Sequence, residues 1–191
     1  LVIGEDLDPI ELQAAPDAVK RFAALGGTVL VMRQKRLGSW SPVQADTTSD
    51  AGFETFLYAE GNPAVDGLLP EDFYEWAPDG LVHSMTFSPA AQGTTRVIAG
   101  KAPHQAHLLE SFYGKGKVYL TGLELTPESV KTEPAAARLL LNLVRASRTP
   151  APARKKTLVY APSANPRAAA LEEMRLEADY VDEAPESLDE Y

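Results

Sequence analysis

The chain has 191 residues, of which 45% are hydrophobic and 24% charged, with a formal net charge of -9. That is the composition of an ordinary soluble protein, long enough for one domain with a real core or one domain and a fragment. The acidic balance argues against a nucleic-acid partner, because neutralising phosphates needs clustered Lys and Arg; no apolar run approaches the ~20 residues of a membrane span, and the absence of cysteine excludes disulfides and thiolate metal sites.

The first elements read as strand, helix, strand. Leu1 to Ile3 is apolar, Pro16-Asp17 opens a helix running from Ala18 to Leu25, and Gly26-Gly27 stops it before a buried strand from Thr28 to Met32. Two buried strands joined by one helix favour a parallel unit with a right-handed crossover. No signal peptide is visible, but the chain opens in a strand without Met, which leaves its true N-terminus open.

From Leu37 to Thr95 the periodicity fades into a loop-rich excursion with short apolar stretches at Phe53 to Tyr58 and Leu81 to Phe87. Strands return at Arg96 to Ala99, His107 to Phe112 and Lys117 to Thr121, the last two joined through Gly114-Lys115-Gly116 as an antiparallel hairpin. A helix from Glu133 to Ala146 follows, with Ala136, Leu139, Leu140, Leu143 and Val144 facing inward. The fold class is therefore α/β: an open, mostly parallel sheet flanked by helices, with a loop-rich insertion and a β-hairpin.

Residues 1–148 make up this domain, and 149–156, which hold Thr149-Pro150-Ala151-Pro152 and the basic run Arg154-Lys155-Lys156, are read as a solvated linker. Residues 157–191 begin again as a strand at Thr157 to Tyr160, a helix at Asn165 to Leu176 and a strand at Asp179 to Val181. They either start a second copy of the fold or complete the first sheet; a disordered acidic tail is the competing reading.

In open parallel sheets, ligands and chemistry gather past the carboxyl ends of the strands. Here those ends present Gly4-Glu5-Asp6, Arg33-Gln34 and Gly122-Leu123-Glu124. Glu5, Arg33, Gln34 and Glu124 are the candidate ligand-binding residues, although a simpler role has Glu5 and Glu124 pairing with Arg33 or capping the following helices. His104, His107 and Glu110 recur every third residue, but on an extended segment that spacing points to opposite faces, so surface or loop histidines are expected and no metal site. Trp40, Trp76 and Tyr74 offer flat faces for a sugar ring, yet their expected task is to pin the excursion onto the core.

Several short motifs together resemble the class I glutamine-amidotransferase-like, flavodoxin-like fold, and more specifically its non-catalytic copies inside β-galactosidase-type glycoside hydrolases. They are Val2-Ile3-Gly4-Glu5, Gly26-Gly27-Thr28-Val29-Leu30-Val31, Asn62-Pro63-Ala64-Val65-Asp66-Gly67-Leu68 leading to Asp72-Phe73-Tyr74-Glu75-Trp76, and Gly114-Lys115-Gly116-Lys117-Val118 before Gly122. Active members of such a family place a Cys after the strand that here ends at Met32, and a His with its Glu after the strand that here ends at Thr121. This chain offers Arg33 and Leu123-Glu124-Leu125 instead, so the resemblance implies no glutamine hydrolysis by that route. It implies a structural or interdomain module of a larger carbohydrate-active enzyme, with the other domains of the parent chain, an oligomer interface and carbohydrate as its possible partners. No cofactor and no catalytic set are expected. Two alternatives stand beside it: a binding module for a sugar or other small polar ligand at the strand ends, and an independent hydrolase using paired carboxylates.

Overall fold

A computed structural model describes residues 1–7, 16–89, 94–148, 158–160 and 179–181. The expected linker and the expected helix at 165–176 lie outside the described residues. The chain forms two compact units, Leu1–Ala151 and Pro152–Tyr191. In the second, β9 (Leu158–Tyr160) and β10 (Asp179–Val181) pair in parallel. Among the described residues no helix is long and apolar enough to cross a membrane.

The first unit contains β1 (Val2–Ile3), α1 (Pro16–Ala24), β2 (Thr28–Val31), β3 (Ala45–Gly52), β4 (Phe56–Leu57), β5 (His83–Pro89), β6 (Thr95–Ala102), β7 (Gln105–Tyr113), β8 (Gly116–Thr121), α2 (Pro127–Thr132) and α3 (Pro134–Arg148). It is the α/β fold expected: one mixed open sheet in the order β1-β2-β8-β7-β5-β3, with β6 on β7 and β4 on β6. The β1, β2 and β8 ladders are parallel, and the hairpin and insertion strands join them antiparallel.

Both sheet faces are covered around β2 and β8, and every residue of the two strands is buried, without the alternation of a one-sided sheet. Leu30 and Tyr119 face one core with Ala136, Leu139 and Leu143 of α3 and with Val65, Phe73 and Trp76 of the insertion. Val29, Val31, Val118 and Leu120 face the other, against Val19 and Ala23 of α1 and against Trp40. Trp40 and Trp76 thus pin the excursion as expected, while Tyr74 stays 47% exposed. Val144, expected to face inward, is 44% exposed. The inward stripe of α3 instead runs Ala136, Leu139, Leu143, Ala146, with Asn142 beside it, because Val144 sits about 100° around the helix from Leu143.

Residues 45–52 carry no apolar alternation and read as loop, yet they form β3 at the sheet edge, antiparallel to β5 from Ala45↔Pro89 to Gly52↔His83. An edge strand buries little, so its backbone pairing needs no hydrophobic signature. The Gly-Lys-Gly turn is the hairpin connection expected. Gly114, at φ 59°, takes the first position of the two-residue hairpin loop. The end of α1 rests directly on that turn: a Cβ at Gly116 would fall 2.2 Å from the carbonyl oxygens of Ala23 and Gly27.

A buried polar network fastens the insertion to the sheet. Tyr119 donates to Glu110 Oε1 at 2.7 Å, Asn62 Nδ2 donates to Glu110 Oε2 at 2.9 Å, and Asn62 Oδ1 accepts from Ala64 N at 2.9 Å. The Asn62-Pro63 motif is therefore the cap of a 3-10 turn, Pro63–Val65, tied to β7 and β8. Further on, Asp72 accepts from Leu69 N, and the Trp76 indole donates to Asp72 O.

Candidate functional site

Parallel registry brings three strand ends level, with Ile3 beside Val31 and Val31 beside Leu120. Past these ends stand Glu5, Arg33 and Glu124. Glu124 is fixed by its own backbone, since its N–H donates to Val82 O and its carbonyl accepts from Ser129 Oγ in the first turn of α2. On the β1 side, Asp6 N donates to Arg33 O, and Asp6 takes φ 45° to do so.

The Arg33 guanidinium spans the gap between the two glutamates. Nη1 donates to Glu124 Oε1 at 2.7 Å and to Ser84 Oγ at 3.1 Å; Nη2 donates to Glu5 Oε2 at 3.0 Å. Asp6 lies 4.0 Å from Nη2 and 3.5 Å from Lys35 Nζ. These groups are largely shielded, the side chains of Arg33, Glu5 and Glu124 being 24%, 28% and 13% exposed. Burial raises the Glu5 pKa above the usual carboxylate value; Arg33 pulls it back, while Glu124 and Asp6 push it up. Gln34 lies beside the cluster but is buried, and its amide is engaged by the backbone: Oε1 accepts from Leu7 N at 3.1 Å and Nε2 donates to Gly4 O. At the place where the resemblance implies a nucleophile there is a cation bridging carboxylates, which offers neither a thiolate nor a free base.

A second polar centre was not legible in the sequence. His107, expected at the surface or in a loop, is completely buried, and it stacks on buried His83 with ring centroids 3.5 Å apart and planes 16° apart. Their separation by 24 positions hides the pair; strand order creates it, because β5 and β7 are neighbours. Thr55 Oγ1 shares a 2.6 Å hydrogen bond with His107 Nδ1. Burial, with smaller contributions from His83 and Lys101, lowers the His107 pKa to about 3, and burial lowers that of His83 too. Glu110 faces other partners, Tyr119 and Asn62, in keeping with the extended spacing.

His83 also lines a cavity of about 460 Å³ with Asp50, Gly52, Phe53, Glu54, Phe56, Tyr74, Glu75 and Lys101. Two extended segments make its rim, joined by the antiparallel bridge Glu54↔Tyr74 and by Glu75 N donating to Phe53 O. Its sequence signal was an aromatic residue followed by an acid, twice: Phe53-Glu54 and Tyr74-Glu75.

No family profile matches the chain, and no curated protein matches it in sequence. Among solved structures, it is similar to a cytoplasmic protein from Salmonella typhimurium at 14% identity and a TM-score of 0.49, over 73% of this chain and 61% of that one. It is also similar to the β-galactosidase from Bacillus circulans sp. alkalophilus at 16% identity and a TM-score of 0.41, over 75% of this chain and 22% of that one. The chain thus spans less than two thirds of either protein, and the likeness concerns backbone course alone.

Proposed function

We propose that residues 1–148 are a non-catalytic structural module of a larger carbohydrate-active enzyme of the glycoside hydrolase class, holding neighbouring domains in place. The observation that carries the non-catalytic part is the Arg33 bridge. Catalysis by paired carboxylates needs a substrate bond or a water between them, and here the guanidinium takes that space, within 3.0 Å of Glu5 and 2.7 Å of Glu124. Amidotransfer needs a nucleophile and a base at the same strand ends, and Arg33 and Glu124 are already committed to each other. The carbohydrate part rests on the sequence motifs that run from Gly4-Glu5 to Gly114-Lys115-Gly116.

The test is turnover by the 191-residue chain of glutamine and of nitrophenyl β-galactoside. Neither substrate is expected to be consumed. Turnover that survives purification and disappears in Glu124→Gln would overturn the reading. The rival reading, a small polar ligand bound at Glu5, Arg33, Gln34 and Glu124, requires the ligand to displace the Arg33 bridge. Titration with galactose, following the Arg33 side-chain NMR signals, separates the two: a structural bridge leaves them unmoved.

A further inference from the structure

The cavity beside His83 differs from the Arg33 cluster in that only part of its charge is spent internally. Asp50 and Lys101 face each other at 3.9 Å and offset each other's charge. Glu54 and Glu75 are exposed, and among the described residues neither has an ion-pair partner, so two carboxylates are left over in a lining with one cation. Three aromatic side chains line the same space and are open to solvent: Phe53 at 57%, Phe56 at 45% and Tyr74 at 47%. Deep in the wall His83 is 5% exposed, and its Nδ1 has no hydrogen-bond partner. The ring reaches that place because β3 has Gly52 opposite it; a Cβ there would fall 2.4 Å from His83 Cε1. Glu75 is held at φ 42°, a conformation that costs a non-glycine residue energy.

Each feature selects the same chemistry. Aromatic faces carry negative π density and attract organic cations. Uncompensated carboxylates add charge of the required sign, and the chain's net charge of -9 draws cations toward it. A buried imidazole kept neutral by its surroundings has one nitrogen lone pair to offer an N–H donor. The volume falls within the ~300–1,000 Å³ of small-molecule sites. A neutral sugar would use the rings but leave both carboxylates without a counter-charge.

From this juxtaposition we infer that the groove formed by Phe53, Phe56, Tyr74, Glu54, Glu75 and His83 binds a protonated organic amine of metabolite size. Its carbon skeleton lies on the aromatic rings, and its ammonium group faces the two free carboxylates. This goes beyond the structural role proposed above and does not depend on it.

The experiment compares benzylammonium with benzyl alcohol, a neutral ligand of the same shape, by titrating the full 191-residue chain and following its aromatic and histidine NMR signals. Benzylammonium is expected to shift Phe53, Phe56, Tyr74 and His83 and to bind at least tenfold more tightly than the alcohol. Adding salt should weaken that preference. The double variant Glu54→Gln/Glu75→Gly, in which glycine tolerates the φ at position 75, should lose at least tenfold in affinity for benzylammonium while keeping its fold, as judged by an unchanged amide spectrum. Equal binding of amine and alcohol, galactose shifting these signals where the amine does not, or no shift with any of the three probes would each overturn the inference. So would a folded double variant that binds benzylammonium as the parent does.

Discussion

The rim around Arg33 and the groove beside His83 use similar materials, charged side chains carried on neighbouring strands, and dispose of them in opposite ways. At the rim each glutamate meets the guanidinium, the guanidinium also meets Ser84, and the adjacent glutamine meets backbone groups. In the groove, among the described residues, Glu54 and Glu75 have no ion-pair partner and His83 Nδ1 has no hydrogen-bond partner; behind the groove wall, Nε2 of the stacked His107 lacks one too. Buried polar groups are normally paired, because leaving one unpaired costs about 1–3 kcal/mol. The rim is thus what stability alone would produce, whereas the groove wall retains a buried, unpaired imidazole nitrogen that stability would have removed.

The largest expected effect comes from the histidine pair. An unfolded imidazole takes up a proton near 6.5 and folded His107 only near 3, so between those values the unfolded state binds more protons. Stability should therefore be complete above about pH 6.5 and fall as the pH drops, by on the order of 3 kcal/mol at pH 4. Urea unfolding at a series of pH values measures the slope, and His107→Gln, which can keep a bond to Thr55, should flatten it. An unchanged slope in that variant would move the cause elsewhere.

Next in size is the rim. Arg33→Ala strands two shielded carboxylates and should destabilise the chain by roughly 2 kcal/mol. Arg33→Lys should recover only part of that loss, because an ammonium lacks the planar fork that reaches both glutamates. Chemical denaturation of the two variants checks the order. If Arg33→Ala proved as stable as the parent, the rim would not be a closed bridge and the contrast with the groove would fail.

A smaller effect is expected in the network that fastens the insertion. Tyr119→Phe leaves Glu110 with Asn62 alone and should cost about 1 kcal/mol, read from the midpoint shift in urea. Smallest, and of opposite sign, is Glu75→Gly. It relieves the positive φ and should add about 0.5 kcal/mol, even after the greater freedom of unfolded glycine is counted. A gain there would show that stability was given up at the groove, while a loss would mean that the Glu75 side chain serves the fold.

Much of the fold was legible because it is written in local periodicity. The strand runs at Thr28 to Met32 and Lys117 to Thr121, with Val, Leu and Tyr at their centres, the stops at Gly26 and Gly114, and the stripe of α3 each show themselves within a window of a dozen residues. β3 escaped because an edge strand buries too little to leave an apolar trace. Val144 was misplaced because its apolar character does not reveal on which side of the helix stripe it falls.

The candidate site divides in the same way. That position 33 carries no nucleophile, and that Glu5 and Glu124 stand near strand ends, could be read from residue types and element order alone. Only the tertiary structure decided that Arg33 meets Ser84, 51 positions away, and Glu124, 91 positions away, and that His83 lies on His107. Side-chain type and spacing fix what a residue can do and which elements form, since those depend on the chain's own neighbours. Which polar groups meet depends on strand order and register, and these are set by how the whole core packs.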